Sequence, residues 1–419
     1  MTKAPHSFAQ QTARGLLYCL IFLIPFSVAA IEILFPILLL FWAAGWNVLG
    51  QRHSSLSVWR SKGSTRVFFP LLLYVTLCAW SVPLSSHPAL SFEGLVFKTL
   101  EYALFFILAS DVSAHPDVPR RSLWALKAAG WLVGLYAVLQ EWAIFHAPYR
   151  QALDPIRGHR LNYIRMVGPY NNPNDLATFL MVASLILIAQ IIFNGTSQDR
   201  NRSRADEWVL SVFLLGCLAW AQSRGALLGF SVGLAILLGL NRWHRRVWMG
   251  ASAALVFTTL FLVFKRGNLI RLLTLSDVAS IERRAMWHAA WGMIRQHPMV
   301  GVGLNAFMAN YQAYALNPNE WPAYAHNCFL QIFAETGIFG LLAFLWFLWS
   351  LFALLVSTLH RAPNSFGRSA RPWLAGLTAA LAAFLVQSAF DTNLYSLRQA
   401  TLFWTLSGLA FGTARLTDS

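Results

Sequence analysis

The feature that most constrains this chain is the recurrence of apolar segments matched to the hydrocarbon core of a bilayer, which about 20 helical residues cross. They fall at about 67 to 83, 92 to 111, 123 to 146, 174 to 193, 207 to 222, 225 to 240, 247 to 264, 330 to 358, 371 to 389 and 399 to 414. A longer run from Gly15 to Leu49, interrupted by Pro25, Glu32 and Pro36, precedes them. It is too long for the core of a cleavable signal, so the N-terminus is expected to be retained. It has room for a helical hairpin whose two spans meet near Ala30. Backbone in lipid must satisfy its own hydrogen bonds, so each segment is read as a helix. The expectation is an all-α polytopic membrane protein of about 12 transmembrane helices, one integral membrane domain over residues 1–419. At 57% hydrophobic and 12% charged, the composition excludes a soluble globular chain and a disordered one.

Charge sets the orientation. Short cytoplasmic loops retain positive charge, and an even number of spans puts both termini on the cytoplasmic side. Under that assignment Lys3, Arg14, the 52–66, 120–127, 200–204, 242–246 and 361–371 clusters and Arg415 lie inside. The outer turns near Ala30 and Ser85 hold no lysine or arginine. Lys98 lies within the fourth span with Glu101, a spacing at which the two can pair one turn apart.

Twelve basic residues break this pattern by falling outside: Arg150, Arg157, Arg160, Arg165, Arg224, Lys265, Arg266, Arg271, Arg283, Arg284, Arg295 and Arg398. They are mostly arginine and concentrate in loops at about 147 to 173 and 265 to 329. A guanidinium fork binds phosphate oxygens bidentately, so the cluster points to a polyanionic ligand such as a diphosphate. Attraction to anionic lipid headgroups is the plainer alternative.

The 265–329 loop, between spans nine and ten, is long enough to be functional in its own right. Ile281 to Gln296 reads as a helix with Arg284, Trp287, His288 and Trp291 on one face. Such a helix suits the membrane interface and would close a cavity entrance as a lid. His297-Pro298 ends it, and Gly301-Val302-Gly303 makes a tight turn. The cysteines Cys19, Cys78, Cys217 and Cys328 form no metal or redox motif. Cys328 and His326 are two residues apart, which separates their side chains around a helix and argues against a Cys-His nucleophile. No Asp-x-Asp, His-Glu-x-x-His or carboxylate cluster falls in the outer segments, so neither metal nor any other cofactor is expected.

Several blocks occur in a fixed order: Gly168-Pro169-Tyr170-Asn171-Asn172-Pro173-Asn174, then Gln222-Ser223-Arg224-Gly225-Ala226, then Arg284-Ala285-Met286-Trp287 followed by His297-Pro298-Met299-Val300-Gly301-Val302-Gly303-Leu304-Asn305, and then His326-Asn327-Cys328-Phe329-Leu330-Gln331 with Glu335 and Gly337. In this order the chain resembles the O-antigen ligase and polymerase superfamily of bacterial inner membranes. Because the chain stops soon after the last expected span, without the added C-terminal region common in the superfamily's protein O-oligosaccharyltransferases, the resemblance leads one to expect a ligase.

The resemblance implies transfer of a glycan from undecaprenyl diphosphate to a lipid A-core sugar at the periplasmic face. It also implies contact with membrane lipids, no nucleic-acid partner and a periplasmic 265–329 loop. His326 is then the candidate base, since imidazole can take a proton near neutral pH. Arg224 and Arg284 are the candidates for stabilising the diphosphate leaving group, against the alternatives of a snorkelling span-end arginine and an exposed interfacial one. Arg165, Asn172, Asn174, Arg283, Gln331 and Glu335 are candidate substrate-binding residues. For Asn172 and Asn174 a turn and helix cap is the structural alternative, and the roles of Glu335 and of Asp391 in the last outer turn stay open. Two other readings remain: an O-antigen polymerase of the same superfamily, and a transporter of anionic lipid or solute.

Overall fold

The computed structural model describes residues 8–47, 62–113, 115–146, 165–170, 172–193, 201–240, 278–316, 324–361 and 370–416. Its regular elements are all helical. The hairpin is α1 (Phe8–Leu23) and α2 (Val28–Asn47). It turns at residues 24–27, a few residues before the expected Ala30. Pro25 cannot continue α1, and Ser27 caps α2, its Oγ accepting the Ala30 N–H at 3.1 Å.

Next come α3 (Lys62–Ser81), α4 (Pro88–Gly94), a π-helical segment (Leu95–Leu100), α5 (Glu101–Val112), α6 (Val118–His146), α7 (Pro173–Phe193), α8 (Asn201–Ala221) and α9 (Arg224–Leu240). After these lie α10 (Val278–Gln296), α11 (Phe307–Tyr314), α12 (Cys328–Arg361), α13 (Ala370–Ser388) and α14 (Leu397–Arg415). The expected span at 247 to 264 lies outside the described residues, as do Arg150, Arg157, Arg160, Lys265, Arg266 and Arg271.

Among the described residues five helices are long and apolar enough to cross a membrane: α2, α3, α6, α7 and α12; the apolar α9 is shorter. α7, α13 and α14 are buried almost all round and form the centre, whereas α2, α3 and α6 expose leucine, phenylalanine and tryptophan outward. A helix apolar on all sides is stable only inside a larger bundle or in lipid. Close approach at the centre relies on small residues. Gly229 and Gly233 of α9 lie against Ala383 and Ala379 of α13, and Gly408 and Gly412 of α14 lie against Phe106 and Ser110 of α5. This small-xxx-small spacing lets helix backbones touch where lipid supplies no hydrophobic drive.

Lys98 and Glu101 do not pair. Lys98 lies in the π segment and donates to Asn305 Oδ1 at 2.6 Å. The extra residue in a π turn shifts the register, so the expected one-turn contact is lost. α10 forms as expected, starting three residues earlier. Its Met286, Ala289, Ala290, Met293 and Ile294 pack with Val302, Phe307, Tyr311 and Ala325 in a small separate core. Arg284, His288 and Trp291 stay exposed, and Trp287 is half-buried.

Candidate functional site

The site begins with a break in α12. Gly337 has φ 67° and ψ −174° inside an otherwise helical run, which frees backbone groups that a continuous helix would pair. The Pro298–Gly303 strip takes them up. Val302 N–H donates to Ala334 O at 2.9 Å, Gly303 N–H to Glu335 O at 3.0 Å, and Ile338 N–H to Pro298 O at 2.9 Å. The loop after α3 grips the strip from the other side: Ser85 and Ser86 hydroxyls each donate to Val302 O at 3.2 Å. The Pro-x-x-Gly-x-Gly block is therefore the counterpart of the helix break.

His326 sits just ahead of α12 in a left-handed conformation, φ 47°. Its side chain is 31% exposed, and Nδ1 lies 3.5 Å from Oδ1 of buried Asp391. That is ion-pair range, longer than a formed hydrogen bond. Asp391 Oδ1 also accepts the Thr392 N–H at 2.8 Å, which fixes the carboxylate. Two further bonds lock the turns together. Gln331 Oε1 accepts the Ala325 N–H at 3.1 Å, and Cys328 Sγ donates to Asp391 O at 3.1 Å. The thiol is buried and committed to that contact, not turned toward the imidazole.

Arg224 opens α9 and is exposed. Its neighbour Gly225 faces Gln387 and Phe390 at the end of α13, immediately before Asp391. The Ser-Arg-Gly turn and His326 thus meet the same short segment, 387–391. Arg165 braces this arrangement: its guanidinium donates to Ala221 O at 3.0 Å, Gln222 O at 3.2 Å and Asn174 Oδ1 at 3.1 Å. Asn172 Oδ1 accepts the Asn174 N–H at 2.9 Å at the start of α7, and Gln387 Nε2 donates to Asn174 O at 3.3 Å. These asparagines hold a turn and a helix start, the structural alternative the sequence left open.

Arg398 is similarly engaged. It donates to Pro169 O at 2.8 Å and Pro25 O at 3.2 Å and stacks over Tyr170, whose ring centre is 4.6 Å away. It thereby ties the turns after α1 and before α7 to α14, placing them at one end of the bundle. Arg284 and half-buried Arg283 lie on α10, which packs beside Ala325 through the small core rather than on the Ser-Arg-Gly turn.

Glu335, 1% exposed, accepts from Gln331 Nε2 and Tyr395 Oη, both at 3.2 Å. Gln331 therefore has both ends of its amide engaged within the protein. Burial and the nearby Glu335 carboxylate push the Tyr395 phenol well above its ordinary pKa, so it remains a donor. Sequence reasoning gave no role to Tyr395 and left Asp391 open; the signal available for Asp391 was an acid in an outer turn. Among the described residues, no three His, Cys, Asp or Glu side chains converge as a metal site would require.

Fold and site together define a helical bundle, with helices able to cross a membrane, that carries a histidine–carboxylate pair and an arginine turn at one end. Residues 209–345 match the family model described as O-Antigen ligase, which bears out the resemblance to the O-antigen ligase and polymerase superfamily. The matched region contains Arg224, Arg284, His326, Gln331 and Glu335 and stops short of Asp391. No curated protein matches the chain.

Proposed function

We propose that the chain is an O-antigen ligase, a metal-independent inverting glycosyltransferase of the bacterial inner membrane. It moves a glycan from undecaprenyl diphosphate to a sugar hydroxyl of lipid A-core at the periplasmic face. It spans the membrane twelve times with both termini in the cytoplasm. The observation that carries the reading is the convergence of His326 and the Ser223-Arg224-Gly225 turn on residues 387–391.

A glycosyl donor outside the cytoplasm must arrive on a lipid, because nucleotide sugars are not supplied there. With Nδ1 facing Asp391, the other imidazole nitrogen is left to take a proton, and the carboxylate stabilises the imidazolium that forms. The acceptor hydroxyl gives its proton to His326 while its oxygen attacks the anomeric carbon. The bond from that carbon to the diphosphate breaks, and its electron pair leaves on the phosphate oxygen. Arg224 meets the charge that develops there. Attack opposite the leaving group inverts the configuration. Arg284 and Arg283, on the exposed side of α10, assist the diphosphate or the headgroups beside it, and Arg165, Asn172 and Asn174 keep the arginine turn in position.

The test is reconstitution of the purified protein with lipid-linked glycan and lipid A-core. Wild type should transfer glycan, and His326→Ala and Arg224→Ala should each lose about a hundredfold or more in rate. Parental rates in both variants would remove the site assignment. Glycan lengthened on undecaprenyl diphosphate, with none on lipid A-core, would make the protein a polymerase.

A further inference from the structure

One layer inward from His326 lies a partly enclosed cavity between α3, the π segment, α12 and α14. Its polar lining includes Lys98, Thr99, Asn305, Glu335 and Tyr395, and Tyr74 and Trp404 are among its aromatic walls. The polar groups are only partly occupied. The Lys98 ammonium has three donors, of which one goes to Asn305. The Glu335 carboxylate offers about four lone-pair directions, of which Gln331, Tyr395 and the Asn305 backbone N–H fill three.

Charge decides what such a cavity selects. It holds one basic and one acidic side chain, Lys98 and Glu335, so it favours neither a phosphate nor a metal ion. Donors and acceptors in comparable number, set against aromatic rings, fit a neutral polyhydroxylated ring: each hydroxyl both donates and accepts, and the C–H faces are apolar.

Position decides which sugar. Tyr324, two residues before His326, has its ring 5.7 Å from that of Tyr395 and 5.9 Å from the Lys98 ammonium. The 389–396 turn runs from Phe390, against Gly225 on the arginine side, past Asp391 at His326, to Tyr395 in the cavity. A base that removes the acceptor's proton must lie beside the acceptor hydroxyl, on the face of the anomeric carbon opposite the leaving group, so the acceptor belongs on the side of His326 away from the arginine turn. Resting on the glycan-transfer function proposed above, we infer that this cavity is the subsite for a neutral hexose of the acceptor, with Lys98, Asn305, Glu335 and Tyr395 as its hydrogen-bonding groups.

The experiment uses the full chain in nanodiscs with lipid-linked glycan as donor and delipidated core oligosaccharide as the acceptor probe. It compares Tyr395→Phe, which removes one hydroxyl, with Ile332→Phe, which fills the cavity and removes no polar group. Each should raise the acceptor KM about tenfold, and weaken equilibrium binding of fluorescently labelled core oligosaccharide to donor-free protein by a similar factor, as loss of one hydrogen bond or of the space predicts. Donor KM should be unchanged and kcat nearly so. Wild-type transfer with unaltered acceptor KM and binding in both folded variants would overturn the subsite alone, as would a rise in donor KM instead. Wild type that neither transfers glycan nor binds the oligosaccharide would overturn the proposed function and the subsite together.

Discussion

His326 occupies a backbone conformation, φ 47°, that non-glycine residues seldom adopt and that costs about 1 kcal/mol or more. The flanking bonds, Ala325 to Gln331 and Cys328 to Asp391, hold it there and aim the ring at Asp391. Asp391→Asn keeps the shape and removes the charge that stabilises an imidazolium. Steady-state transfer should fall by at least about tenfold with acceptor KM unchanged; a rate within about twofold of wild type would take Asp391 out of the mechanism. Arg165 behaves differently from what its position among the outer arginines implied. From a sequence, a guanidinium that grips carbonyl oxygens is indistinguishable from one that waits for phosphate, and Arg165 and Arg398 both grip carbonyl oxygens. Lysine has no fork with which to reach Ala221 O, Gln222 O and Asn174 Oδ1 together. Arg165→Lys should therefore lower the thermal unfolding midpoint, consistent with about 1–3 kcal/mol lost in charge-assisted bonds, and an unshifted midpoint would deny the brace.

Among helices, the broken α12 and the strip paired to it set the site's geometry. Gly337 has φ 67°, and a Cβ there would run into the Met299 carbonyl. Gly337→Ala should destabilise the fold by more than about 2 kcal/mol, read as a lower unfolding midpoint, and should slow transfer because Glu335 and the His326 turn both hang from the first half of the helix. A variant as stable and as active as wild type would mean that the break is incidental. Hydropathy made the helices legible: every expected apolar segment within the described residues is helical, and the 281–296 helix was found from the helical spacing of Arg284, Trp287, His288 and Trp291. The break at Gly337, the π segment and α11 were not legible. A hydropathy window averages side chains and carries nothing about which backbone N–H or C=O has lost its partner. The Pro-x-x-Gly-x-Gly block was visible as a turn, but its partner, thirty-odd residues on in α12, is a contact that spacing alone does not reveal.

For the whole molecule, the bundle gathers at one end the turns after α1 and before α7, the arginine turn, the Pro298–Gly303 strip, His326 and the 389–396 turn. Most of the candidate site could be named from sequence because its residues cluster in short blocks. How the blocks meet, on residues 387–391 and across Tyr324, follows from helix packing that no single block encodes. Transfer by the purified protein should proceed at the same rate in excess EDTA, and a loss restored by a divalent cation would contradict the metal-independent mechanism. The most direct measurement of the central claim, that His326 and Arg224 form one site on the non-cytosolic side, is thiol accessibility in intact cells. In a cysteine-free background, cysteines placed singly at Asn327 and Gln222 should both react with a membrane-impermeant reagent added from outside, while one at His360 should react only after the membrane is opened. Labelling of 327 and 222 from opposite sides would contradict the account.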